Sequence, residues 1–206
     1  MLKTRKVRSD KKHTIKPTIP VKLKETINRI SYITTTPVKD VGEFICESGL
    51  HSKQVIEILS GHFRRSYHFN NTVYFGELER KSLQREKYNV PTERATIRFK
   101  ESTNEQINAL AYSLDVTPSK ATALLLETSI KNPIIINQYL KMYLQKNIDT
   151  TRIKELKKII KFINDNNPYE EEISWSEILS YIYKEIKTST TTMTAAITGF
   201  IEKHRK

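Results

Sequence analysis

A chain of 206 residues, 37% of them hydrophobic, can fill one large or two small cores and is too polar for a membrane protein. No stretch approaches the roughly 20 apolar residues of a bilayer span. The charged start leads into no apolar run, so neither anchor nor secretion signal is expected and the chain should stay in the cytoplasm. The net charge of +12 favours a polyanionic partner, nucleic acid first, because neutralised phosphates release their condensed counterions.

Residues 1–24 hold nine Lys or Arg and one Asp, with little hydrophobic periodicity before Ile19. Residues 1–17 therefore read as a flexible basic arm, lying along DNA phosphates or serving as a solubilising tail.

Residues 18–76 read as three short helices and a hairpin. Ile27, Ile30 and Ile33 mark the first helix; Thr36-Pro37 caps a second carrying Val41, Phe44 and Ile45; Gly49-Leu50-His51-Ser52 turns into a third with Val55, Ile56 and Leu59. Two β-prone runs around Asn70-Asn71 follow. With Gly49 at the turn, this stretch resembles a winged helix-turn-helix domain. The resemblance implies that Ser52, Lys53, Gln54 and Glu57 face DNA and that Arg64 and Arg65 touch phosphates. A small helical bundle with an aromatic hairpin is the competing reading. A third parse makes Ile19, Val21 and Leu23 one strand of a degenerate copy of residues 93–131, with a first helix about five residues shorter. No convincing internal repeat emerges. His62 and His68 have no Cys or carboxylate at ligand spacing, so no metal is expected, and Cys46 beside Phe44 and Ile45 reads as a buried small hydrophobe.

Residues 77–92 are charged and end in Val90-Pro91, which suits a linker or a short connecting helix. Beyond them Ala95, Ile97 and Phe99 alternate with Arg94, Thr96, Arg98 and Lys100, the period of a strand with one apolar and one cationic face. Ser102 and Glu105 form a capping box opening a helix with Ile107, Leu110 and Leu114, and Thr117-Pro118 restarts a second helix. A lone strand leaves its backbone groups unpaired, so the simplest completion is a homodimer whose two strands pair antiparallel. The segment 93–131 resembles the ribbon-helix-helix family of DNA-binding proteins. That resemblance implies a ribbon in the major groove of double-stranded DNA, with Arg94, Thr96 and Arg98 reading bases, Lys100 beside them, and the helix start at Thr117, Ser119 and Lys120 holding a phosphate. The family often has Gly in the turn where this chain has Asp115-Val116.

Residues 132–206 read as a helical C-terminal region. Asn132-Pro133, Thr150 or Thr151, and a capping box at Ser174 to Glu177 each open an amphipathic helix, and a Thr-rich stretch at 188–194 precedes a last one; further oligomerisation is their expected service. The fold class expected is mainly α: a ribbon-helix-helix module, a winged-helix-like N-terminal domain and a helical C-terminal region. No nucleophile with its base, phosphate loop or metal cluster is visible, so a binding protein without cofactor is expected rather than an enzyme. The function read is a homodimeric, sequence-specific DNA-binding repressor, with an accessory factor at a plasmid or mobile-element centromere or origin as the alternative.

Overall fold

The computed structural model describes residues 12–143, 150–165 and 167–187. Among them the chain is mainly helical, with small antiparallel sheets. Strands β1 (His13–Ile15) and β2 (Thr18–Pro20) lead into helices α1 (Val21–Thr34) and α2 (Val38–Leu50). Helix α3 (Lys53–Ser60) and a hairpin of β3 (Tyr67–Phe69) and β4 (Thr72–Tyr74) follow. Strands β5 (Thr92–Arg94) and β6 (Ile97–Phe99) then lead into α4 (Glu101–Leu114) and α5 (Pro118–Ile130), before α6 (Pro133–Tyr143), α7 (Thr150–Asn164) and α8 (Trp175–Lys187). The Thr-rich stretch at 188–194 and the last helix expected after it lie outside the described residues.

The strand expected at residues 93–101 finds its partner in its own chain. β6 pairs antiparallel with β1, Arg98 opposite Thr14 and Ile97 opposite Ile15; β5 pairs with β2, Arg94 opposite Thr18. Both pairings keep one register, so they are halves of a single ribbon, interrupted where Pro17 lies. Pro17 accepts from the Ala95 N–H at 3.0 Å but has no N–H to return. Ile15, Pro17, Ile19, Ala95, Ile97 and Phe99 are buried on the inner face. Two expectations are thereby corrected: a second copy is not needed to complete the ribbon, and His13–Ile15 form a strand rather than the end of a free arm.

The strand–helix–helix order occurs twice, each helix of the second unit lying 80 residues after its counterpart: Val21 against Glu101, Leu50 against Ile130. The first helices are both 14 residues long and the second both 13. α2 and α5 share the same burial pattern at every position but one, Lys39 against Ser119, and Glu25, Ile27, Asn28, Tyr32 and Glu47 recur as Glu105, Ile107, Asn108, Tyr112 and Glu127. A repeat is therefore present where the sequence reading found none convincing. The first helix is not shortened; it starts at Val21 behind Pro20, which offers no capping side chain. Ile19 does lie in the ribbon, while Val21 and Leu23 belong to the helix.

The two units interlock through α2 and α5. Gly49 lies inside α2 rather than at a turn, and a Cβ there would stand 1.9 Å from Ser129 Oγ of α5. The absent side chain is what lets the helices approach. The turn itself is at His51-Ser52, where the Ser52 hydroxyl caps α3 by accepting from Val55 N–H at 3.4 Å. With α2 packed on α5 and the ribbon, α1 and α2 serve the first unit as well as preceding α3. The hairpin forms as expected, with Asn70 left-handed at φ 51°, and β3 packs on α3 and α4.

Capping follows the sequence in part. Thr117 accepts from Lys120 N–H at 3.3 Å with Pro118 next, and Asn132 Oδ1 accepts from Ile135 N–H at 3.1 Å. Helix α4, however, starts at Glu101 behind Lys100, so the Ser102–Glu105 box does not form, and α2 starts behind Pro37, not Thr36. Residues 77–91 form no helix and pack back through Leu83, which is buried. α6 packs on α2 and α5, and α7 lies along α1, where Glu155 meets Arg29 at 3.1 Å.

Candidate nucleic-acid interface

The pleat of the ribbon sends alternate side chains outward. On one strand these are Thr14, Lys16 and Thr18, on the other Arg94, Thr96 and Arg98, all exposed. Lys12 and Lys100 flank them. The carboxylates at the ribbon margin have partners of their own: Glu93 pairs with Lys24 at 2.5 Å, Glu43 pairs with Lys12, and Glu101 contacts the His13 ring. Among the described residues no ion pair engages Lys16, Arg94, Arg98 or Lys100. The surface is thus a narrow two-stranded ridge carrying two free guanidinium groups, one free ammonium and three hydroxyls.

Beside it stands the N-terminus of α5. Ser119 Oγ donates to the Lys16 carbonyl at 2.9 Å, tying this helix start to the ribbon. The Thr117 N–H donates to Gln84 Oε1 at 2.8 Å, and Lys120 Nζ donates to the Glu86 carbonyl at 3.0 Å while lying 4.9 Å from the centre of the Tyr88 ring. Thr117, Ser119 and Lys120 do adjoin the ribbon, but residues 84–88 already contact the first and last of them. Burial and Glu127 push the Tyr88 hydroxyl far above its ordinary pKa.

Arg64 and Arg65 are differently placed. Each reaches a different oxygen of Asp115 at 2.6 Å; Arg64 also donates to the Leu78 carbonyl and Arg65 to that of Tyr112, with its guanidinium over the Tyr112 ring. Both side chains are thus engaged as a clamp between the α3–β3 loop and the end of α4, with one carboxylate for two guanidinium groups. Asp115 itself takes the left-handed conformation, at φ 56°.

The α3 positions are also partly engaged. Gln54 accepts from Asn132 Nδ2 at 2.9 Å, Lys53 lies 3.4 Å from Glu57, and Ser52 is the cap already described. Ser52 shares with Lys100 the wall of a cleft of about 620 Å³ bounded by α2, α4 and α6. Burial raises the Cys46 thiol far above its usual range, in keeping with a packing role. Among the described residues no cluster of three His, Cys, Asp or Glu is arranged to hold a metal, and no helix is long and apolar enough to cross a membrane.

Thr14, Lys16 and Thr18 were missed as site residues. Their signal was the period-two pattern Ile15-Pro17-Ile19, obscured by prolines that strands rarely carry. Comparison with protein-family models, with curated proteins and with solved structures gives no match.

Proposed function

We propose that this chain binds double-stranded DNA in a sequence-specific way, with the ribbon of residues 13–20 and 92–99 lying in the major groove. On this reading residues 12–51 and 92–131 are two ribbon-helix-helix units in one polypeptide, and the chain is a binding protein rather than an enzyme. The observation that carries it is the outward ribbon face, where Lys16, Arg94 and Arg98 stand exposed without carboxylate partners among the described residues. A two-stranded ribbon matches the width of the major groove, and an exposed guanidinium can make a bidentate pair with guanine O6 and N7. By contrast Arg29, Arg64, Arg65 and Arg80 each pair with a carboxylate of this chain, whereas Arg94 and Arg98 share one exposed face of the ribbon.

Promoter repression is the role favoured, with origin or centromere binding on a mobile element as the alternative. The test is binding of the full chain to a pool of random duplexes followed by sequencing. A selected motif that vanishes when Arg94 and Arg98 are both replaced by Ala supports the proposal; equal retention of all sequences by the wild type contradicts it.

A further inference from the structure

In a symmetric ribbon both strands would present the same side chains, and the site they read would be a palindrome. Here the two strands come from different parts of one chain and differ at every outward position. Shifting by the 80-residue repeat sets Thr14 against Arg94, Lys16 against Thr96 and Thr18 against Arg98. The backbone has an approximate two-fold; its reading face has none. Both arginines lie on the strand of residues 92–99, and the opposite strand offers two threonines at the equivalent places.

We infer that one chain reads one directional, non-palindromic DNA site, with its guanines set against Arg94 and Arg98. This rests on the proposed DNA reading and adds the symmetry of the target. The chemistry is unequal at each pair of equivalent positions. A guanidinium grips guanine O6 and N7 through two bonds, whereas a threonine hydroxyl makes one bond at most and offers a methyl group that suits thymine. Turning the site end for end would put the guanines against Thr14 and Thr18 and lose both bidentate pairs, a penalty of roughly 10- to 100-fold in affinity for each. The flanks are unequal too. Beside α5 lie Gln84, Glu86 and Tyr88, while the equivalent start of α2, at Pro37 and Val38, has no counterpart of Lys120; Asp40 stands in its place. A directional complex fixes which side of the site the α3 and hairpin segment occupies. That is a property suited to arrays laid down in one direction.

The experiment is duplex selection with the full chain and with the triple variant T14R/K16T/T18R, which gives both strands the outward order Arg, Thr, Arg. These side chains are exposed, so the fold should persist, and circular dichroism checks this. Native mass spectrometry counts the chains on the selected duplexes. The inference expects a motif without dyad symmetry under one wild-type chain and a dyad-symmetric core for the variant. A dyad-symmetric core under one wild-type chain overturns the inference while leaving the DNA reading intact. Absence of any selected motif overturns both.

Discussion

Arg64 and Arg98 are the same residue type on the same basic chain, and what separates them is a carboxylate. Arg64 and Arg65 share Asp115, about fifty positions further along, while the ribbon arginines face outward. Replacing Arg94 or Arg98 by Ala should therefore cost roughly 1–3 kcal/mol in binding to a selected duplex with no change in thermal midpoint. Replacing Arg64 or Arg65 should do the reverse: titrations across salt concentrations should keep the wild-type slope while urea unfolding shows lost stability, and a slope lowered by about 0.9 would restore a phosphate contact. Asp115 can be dissected by its backbone. Asp115→Gly removes the clamp and keeps a permitted φ, whereas Asp115→Ala also strains a left-handed position, so urea unfolding should find the Ala variant less stable by about 1 kcal/mol more. None of this was legible in the sequence, because the carboxylate that matches Arg64 is distant along the chain and adjacent only after folding. The alternation from Arg94 to Lys100 was legible, because its period is local.

At the scale of elements, most helices and the hairpin could be read from periodicity, but the start of the first unit could not. Prolines 17, 20 and 37 replace the residues that signal strands and caps, so the first unit looked like a tail followed by a short helix, although it matches the second unit element for element. Proline removes a donor without preventing its carbonyl from accepting, and that is how Pro17 keeps the ribbon paired to Ala95. Deletion of residues 1–11 should leave the fold cooperative and weaken cognate and random DNA alike, whereas deletion of residues 1–20 removes the partner strand and should abolish cooperative unfolding by circular dichroism. Equal stability of the two truncations would show that the first strand is dispensable. Gly49 carries the contact between units: Gly49→Ala forces a methyl toward Ser129 and should destabilise by roughly 1–3 kcal/mol in urea, with Ser129→Ala relieving part of the loss.

For the whole molecule, the homodimer argued from an unpaired strand was a sound inference about backbone groups and a wrong one about their source. Hydrogen bonds had to be completed, and periodicity alone could not say that residues 13–20 would do it. Closing the ribbon within one chain makes its folding independent of association, so the thermal midpoint should not change with protein concentration; a midpoint rising with concentration would point to an obligate dimer. The central claim is that this ribbon face meets base edges in the major groove. Methylation of guanine N7 by dimethyl sulfate, followed on a selected duplex saturated with protein, tests it most directly. Wild-type protein should protect guanines in the core of the site, and R94A/R98A, raised to the same occupancy, should leave those N7 atoms reactive. Unaltered protection by the folded double variant would contradict the account.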